Sequence, residues 1–250
     1  MNDSYRLKTD EKGARIQKMF DGLAANYDLM NRIMTMGQDQ RWRRYVVDQA
    51  GLKPGCTVLD LAAGTGDIAF EVRRRFDDAA VIAGDFSLGM MAFGTGRKGG
   101  DGVHWVACDA LALPFADNSF DAVLFGYLLR NVTCIQTALS EIRRVLKPGG
   151  KAVCLDTTPP PPGLLRPFIK SYLNHGLPLL GRALGTDPSA YAYLSNSTQH
   201  FETAEALADH FLQAEFDGVG FRHFLFKTIA VHWASKQAGG RQHNTSKKDL

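Results

Sequence analysis

Thr57-Val58-Leu59-Asp60-Leu61-Ala62-Ala63-Gly64-Thr65-Gly66-Asp67 is the stretch that decides the fold. Thr57 to Ala62 is short, apolar and β-branched at its start, as expected of a strand buried on both faces of a parallel sheet. Gly64 and Gly66 interrupt it, and Asp67 to Phe76 then takes on helical character. Working outward, the same alternation recurs. Ala80 to Ala83 reads as a second strand ending at Gly84-Asp85, Val103 to Cys108 as a third, Phe120 to Phe125 as a fourth and Lys151 to Leu155 as a fifth. Between the last two, Ile135, Ala138, Leu139, Ile142, Val145 and Leu146 fall at helical spacing. This predicts a helix over Thr133 to Leu146, capped by Thr133 and stopped by Pro148-Gly149-Gly150. Strands alternating with helices predict an open α/β fold around a mostly parallel sheet.

The ends of the chain depart from that rhythm. Residues 1–12 read as a loose arm, followed by helices around Arg15 to Leu23 and Gln40 to Ala50. Pro159 to Pro162 cannot continue a strand or helix and opens a helical insertion, 163–200, rich in Leu, Pro and Tyr. Thr203 to Phe216 is expected to be helical. Val219 to Phe226 and Thr228 to Ala234 are expected to close the sheet as an antiparallel hairpin. The expected organisation is an N-terminal arm with lid helices over 1–50, a main domain over 51–236 and a disordered tail over 237–250.

Composition narrows the class. Of the 250 residues, 45% are hydrophobic and 22% charged, and the net charge is +3, so nucleic acid is not implied as a partner. The runs Arg41, Arg43, Arg44 and Arg73, Arg74, Arg75 read as solvated helix faces. Cys56, Cys108, Cys134 and Cys154 form no metal-ligand or disulfide pattern, so no metal is expected and a reduced, cytoplasmic protein is. The N-terminus lacks the apolar core of a signal peptide, and no stretch approaches the roughly 20 apolar residues of a membrane span.

Gly64, Gly66 and Ala69 satisfy the dinucleotide pattern G-x-G-x-x-A, and Asp85 follows Gly66 by 19 residues. Charge weighs against a dinucleotide. A pyrophosphate at this turn would face Asp60 and Asp67, at a cost of roughly 1 to 4 kcal/mol per close pair. A sulfonium and an ammonium would be attracted by the same groups, which favours S-adenosylmethionine. Asp67 can also serve the helix dipole. Asp85 is placed to accept bonds from ribose hydroxyls, and Asp109 and the Ala110 N–H to meet adenine. Three acids at three successive strand ends would then line the edge where open α/β sheets bind ligands.

With these residues in view, the chain resembles the class I, Rossmann-like S-adenosylmethionine-dependent methyltransferases. Within them it resembles the ubiquinone/menaquinone biosynthesis C-methyltransferases. The resemblance rests on Phe20, Ala24, Ala25, Tyr27, Asp28, Met30, Asn31, Gly37 and Trp42, then on Val58 to Asp67, Asp85-Phe86-Ser87 with Met90, and Asp109 to Phe115. Asp121 follows, then Leu129-Arg130-Asn131-Val132, the most family-specific element, and Val145 to Gly150. It implies a seven-stranded sheet and S-adenosylmethionine held by Thr65, Asp85, Asp109 and Ala110; the expected donor site also takes in Asp60, Gly64, Gly66, Phe86 and Gly126. The chain departs from the family at Leu129, where Gly is usual, at Gly126, where Ser is often found, and at Asp156-Thr157-Thr158, in place of Glu-Phe-Ser. These departures fall near the expected acceptor pocket.

The resemblance implies methylation of a ring carbon of a lipid-tailed quinol. A ring carbon becomes nucleophilic when the neighbouring hydroxyl loses its proton, so a cation that stabilises the phenolate is needed. Arg130 is the candidate, with a structural salt bridge as the plainer role. Tyr27, Asp28 and Asn31 could form a lid, and Tyr191, Tyr193 and His200 could line the acceptor pocket, although each could equally serve packing. Leu164, Leu165, Phe168, Ile169 and Leu177 to Leu180 offer an apolar surface for a polyprenyl tail or for peripheral contact with the inner face of a membrane. A homodimer is compatible with the resemblance, and no residue specifies it. Three other readings stay open: an O- or N-methyltransferase of another small molecule, a non-catalytic donor-binding subunit, and a nicotinamide dehydrogenase.

Overall fold

The computed structural model describes residues 27–179 and 188–238. The expected helix at Arg15 to Leu23, the arm and nearly all of the tail lie outside the described residues, as do the side chains of Tyr27, Asp28 and Tyr191. In chain order the elements are α1 (Tyr27–Met34), α2 (Asp39–Ala50), β1 (Thr57–Leu61), α3 (Asp67–Arg75), β2 (Ala80–Asp85), α4 (Leu88–Thr95), β3 (His104–Ala107) and β4 (Phe120–Gly126). They continue with α5 (Ile135–Val145), β5 (Leu146–Thr157), α6 (Arg166–Ser171), α7 (Pro188–Gln199), α8 (Ala204–Gln213), β6 (Phe216–Phe224) and β7 (Ile229–Lys236).

The seven strands form one sheet in the order β3-β2-β1-β4-β5-β7-β6. The first five are mutually parallel, and β7 runs antiparallel to both β5 and β6. The mostly parallel sheet with an antiparallel C-terminal hairpin is therefore as the sequence predicts. Strand order adds something periodicity could not. The chain leaves β1 toward β2 on one side and returns to β4 on the other, so β1 and β4 flank the switch point where such sheets open a crevice.

Two apolar layers cover the sheet. On one face Trp42, Val46, Val47 and Ala50 of α2 pack with Ile68, Ala69 and Val72 of α3. On the other, Ala138, Leu139, Ile142 and Val145 of α5 pack with Leu207 and Phe211 of α8. A small satellite cluster joins Met30 of α1 to Leu177 and Leu194 of the insertion.

Several boundaries differ from expectation for identifiable reasons. Cys134, not Thr133, precedes α5, and no side chain caps it. Pairing with β4 takes over at Leu146, so β5 begins there, and a register shift absorbs Lys147 to Gly150. The helix expected to reach Phe216 ends at Gln213 because Glu215 turns at φ 60° and Phe216 already pairs with Lys236. Both arginine runs are only partly solvated. Arg43 is buried and paired with Asp39, while Arg74 and Arg75 pair with Glu71, and Arg75 also with Asp48.

Gly94 shows how tightly α4 sits behind the Gly64–Gly66 loop: a Cβ there would overlap the Trp105 ring and come within 3.0 Å of the Thr65 carbonyl. Overpacking of this kind costs typically 1–3 kcal/mol. Gly94→Ala is therefore expected to lower stability by about that amount in urea unfolding, with a change in Trp fluorescence. An unchanged midpoint would show that α4 can move away freely.

Candidate donor and acceptor site

At the C-terminal end of β1 the backbone must turn sharply. Ala62, Gly64 and Gly66 all take positive φ (55°, 57° and 88°), and Tyr127 does the same at the end of β4 (φ 59°). For Ala62 and Tyr127 this conformation costs energy and is held by its surroundings. Tyr127 donates its N–H to the Leu155 carbonyl at 2.7 Å. Gly66 also needs to be small, because a Cβ would lie 2.7 Å from the Trp105 ring.

These turns bound a cleft of about 380 Å³, lined by Arg43, Asp60, Ala62 to Thr65, Asp67, Ile68, Gly126, Tyr127 and Leu155. Of the expected donor residues, Asp60, Gly64, Thr65 and Gly126 line it. Gly66, Asp85, Phe86, Asp109 and Ala110 do not; they stand along the neighbouring ends of β1, β2 and β3. Asp85 holds the loop in shape, accepting the Gly64 and Ser87 N–H groups at 2.7 Å each. Phe86 is nearly half exposed at the end of β2, a flat apolar face beside Asp85. Asp109 is exposed and accepts the Leu111 N–H at 2.9 Å, with Ala110 buried beside it.

The acidic-rim expectation needs correction. Asp67 is neutralised: Arg97 lies 2.8 Å and Arg43 3.4 Å from its two oxygens. Asp60 is not a surface charge either. It is buried within β1, and its Oδ2 accepts the Ala69 N–H at 2.8 Å, tying the strand to the first turn of α3. Burial, with a further push from Asp85, lifts its carboxyl to about 8. Its Oδ1 has no hydrogen-bond partner among the described residues. A buried polar atom left unpaired costs free energy, which a ligand cation can recover. That orphan oxygen at the cleft wall fits an ammonium-bearing donor.

A second cluster lies beyond Tyr127. The Arg130 side chain is 5% exposed, its guanidinium stacks 4.8 Å from the Tyr127 ring centre, and Asp156 lies 3.8 Å from Nε. Nε itself has no hydrogen-bond partner among the described residues. The Thr157 hydroxyl is 3.4 Å from Nη1. Burial raises Asp156 to about 6 against the opposing pull of Arg130. From the insertion, Tyr193 donates to Asn131 Oδ1 at 2.7 Å, and Asn131 Nδ2 donates to the Tyr127 carbonyl at 2.7 Å. Tyr193 therefore joins the cluster. His200 does not: it is exposed just past the end of α7 and bonds back to the Asn196 carbonyl of that helix. Asn31 is buried in α1, away from the cleft lining.

Sequence gives no role to Arg97 or Tyr127, reads Arg43 only as part of a solvated arginine run, and marks Asp156 only as a departure from the family near the expected acceptor pocket. Arg43 sits between Arg41 and Arg44, both exposed, and only the buried positions of α2 reveal that it points inward. Tyr127 follows a strand end, which marks it once strand order is known.

The comparisons with known proteins bear directly on this site. Residues 8–236 match the ubiE/COQ5 methyltransferase family. The chain belongs to that family. It is 54% identical over 225 residues to the ubiquinone/menaquinone biosynthesis C-methyltransferase UbiE of Desulfotalea psychrophila, covering 90% of this chain and 92% of that one. It is 40% identical over 231 residues to the demethylmenaquinone methyltransferase of Mycolicibacterium paratuberculosis, covering 92% and 98%. Among solved structures, a phosphoethanolamine N-methyltransferase 2 of Haemonchus contortus, in complex with S-adenosylmethionine, superposes with TM-score 0.61 at 18% identity. That match covers 79% of this chain and about half (52%) of the other. An S-adenosylmethionine-dependent methyltransferase of Thermotoga maritima gives TM-score 0.62 at 18% identity, covering 88% and 99%. These likenesses show a shared Rossmann-like fold. The ubiE/COQ5 enzyme is an S-adenosylmethionine-dependent methyltransferase, and the dehydrogenase reading falls away.

The raised Asp60 carboxyl has a thermodynamic signature. The folded protein keeps a proton that the unfolded chain releases, so the stability from this source is complete below about pH 4 and is lost as pH rises toward 8. Asp60→Asn lacks that loss. Between pH 5 and 8 its stability relative to the wild type should improve by on the order of 1 to 4 kcal/mol. Urea unfolding of both proteins at the two pH values reads this directly, and a pH-independent difference would show that Asp60 is ionised throughout.

Proposed function

We propose that this enzyme methylates a ring carbon of a polyprenylated quinol, a demethylmenaquinol or a related benzoquinol, using S-adenosylmethionine. The observation that carries the reading is the buried Arg130 cluster beside the donor cleft, in a chain 40–54% identical to relatives named for this chemistry. S-adenosylmethionine supplies an electrophilic methyl group on a sulfonium.

The chain's own residues must activate and align the acceptor. Arg130 places a permanent cation where a quinol hydroxyl would lose its proton, and a buried cation stabilises the resulting oxyanion far better than water does. Asp156 and the Tyr127 ring hold the guanidinium in place. Among the described residues its Nε has no hydrogen-bond partner, which leaves a donor for the ring oxygen. Tyr193 ties the insertion to this loop through Asn131, so acceptor binding and arginine placement share one network. Asp60, Thr65 and the loop glycines serve the donor's methionyl end; Asp85 serves its ribose, and Asp109 and the Ala110 N–H, with the Phe86 ring nearby, serve its adenine. With labelled donor, demethylmenaquinol or polyprenyl-benzoquinol extracts should give a ring-methylated product. Arg130→Ala should cut turnover about 10²–10³-fold and leave S-adenosylhomocysteine affinity within about twofold. Normal turnover in the variant would remove Arg130 from the reaction.

The insertion supports a lipid-tailed substrate. Leu164, Leu165, Phe168 and Leu179 are exposed there (92%, 55%, 70% and 67%). Leu29 and Met36 are exposed around α1, and Tyr172 bridges the two regions by donating to the Met34 carbonyl at 3.4 Å. No helix among the described residues is long and apolar enough to cross a membrane. Peripheral seating of this surface on a bilayer would bring the site to a substrate that never leaves the lipid. Leu164→Glu with Phe168→Glu should reduce co-sedimentation with anionic liposomes by about tenfold or more, since two apolar side chains leave the interface. Soluble donor-product binding should be unchanged. Equal sedimentation would exclude this face.

A further inference from the structure

We propose that Arg43 receives the methionyl carboxylate of the donor, so that helix α2, and not the sheet alone, completes the donor site. The inference rests on the donor reading above and deepens it. The amino-acid end of the donor is a zwitterion. Its ammonium and its carboxylate are carried by the same carbon, so the wall that meets one charge must also meet the other.

Asp60 and Asp67 both line the cleft, one buried and the other already paired with Arg43 and Arg97, and neither can attract a ligand carboxylate. Without a cation close by, a ligand carboxylate there would face like charge and lost hydration. Arg43 is the only Arg, Lys or His lining the cleft among the described residues. Arg97, the other arginine at Asp67, does not line it; its guanidinium is bonded to the Thr65 carbonyl at 3.0 Å and lies 4.9 Å from the Phe70 ring centre.

Arg43 is also preorganised. Its side chain is 10% exposed, and Asp39, one turn earlier on α2, binds one of its nitrogens. Asp39 is itself buried and accepts the Thr35 hydroxyl at 3.2 Å, anchoring the pair at the junction of α1 and α2. Asp67 lies 3.4 Å from a second nitrogen. A guanidinium carries five donors in a fixed fork and can serve more than one carboxylate at once. Held this way, it loses little conformational freedom when a ligand arrives. Arg41 and Arg44 flank it and are exposed, so the helix turns only this arginine of the run toward the cleft. The plainer role is a clamp that fastens α2 to α3 through Asp67, and the two roles differ in how they treat the ligand's carboxylate.

The test is calorimetry on the full chain with two ligands: S-adenosylhomocysteine and its decarboxylated counterpart, which keeps the adenosine, the thioether and the amine. Wild type should bind the decarboxylated ligand at least tenfold more weakly. Arg43→Gln should bind S-adenosylhomocysteine at least tenfold more weakly than wild type, yet discriminate between the two ligands by less than about twofold. Arg43→Lys should restore part of the discrimination. Equal wild-type affinity for both ligands would overturn the assignment. So would an Arg43→Gln protein that loses affinity for both equally and keeps the tenfold gap, since that is the behaviour of a clamp. If circular dichroism shows Arg43→Gln unfolded, the wild-type ligand pair and Arg43→Lys decide by the same criteria. If wild type takes up neither ligand, the donor reading itself falls, and this assignment with it.

Discussion

A carboxyl group buried where a parallel strand gives way to a helix is expensive, and Asp60 is such a group. It is the next-to-last residue of β1, just before the backbone enters three positive-φ positions, and its Oδ2 holds the Ala69 N–H of α3. That bond spans the whole donor loop. Burial penalises the charged form strongly enough to lift the carboxyl to about 8, so the loop is built around a group that gains from meeting a cation. The second oxygen, unpaired at the cleft wall, is where that gain is available.

The other charges of the site are arranged in compensation. Asp67 sits between Arg97 and Arg43, Arg43 is shared with Asp39, and Arg130 faces Asp156. Buried ion pairs of this kind contribute little net stability, because desolvation offsets most of the attraction, but removing one partner strands the other. Their value lies in position. Each guanidinium is held against a carboxylate or an aromatic ring before any ligand arrives, as catalysis by preorganised charge requires. Donor-side and acceptor-side clusters meet at Tyr127, which lines the cleft and carries the Arg130 guanidinium over its ring.

Much of this was legible in the residues. The strand-glycine-helix pattern at Thr57 to Asp67, the alternation that follows and the closing hairpin all appear in the structure, because a buried parallel strand needs an unbroken apolar run and a sharp turn needs glycine. The donor loop and Asp85 were legible for the same reason. Less visible were features that depend on which side of an element faces inward. Arg43 looked like one of three surface arginines, and Asp67 looked like a free acid at the rim. Neither reading could include the partner, since Arg97 lies thirty residues from Asp67 along the chain and meets it only through the packing of α4.

The amino-acid order alone determined the strands and most of the helices, though not α1 or α4, together with the position of the donor loop and the family, since these follow from local periodicity and short motifs. Strand order was decided only in three dimensions. It put β4 beside β1, opened the crevice between Ala62 and Tyr127, and brought Asp156 under Arg130 across 26 residues. The physical reason is that local sequence sets backbone preference and burial, whereas a charge acquires its meaning from the partner and the dielectric that folding places around it.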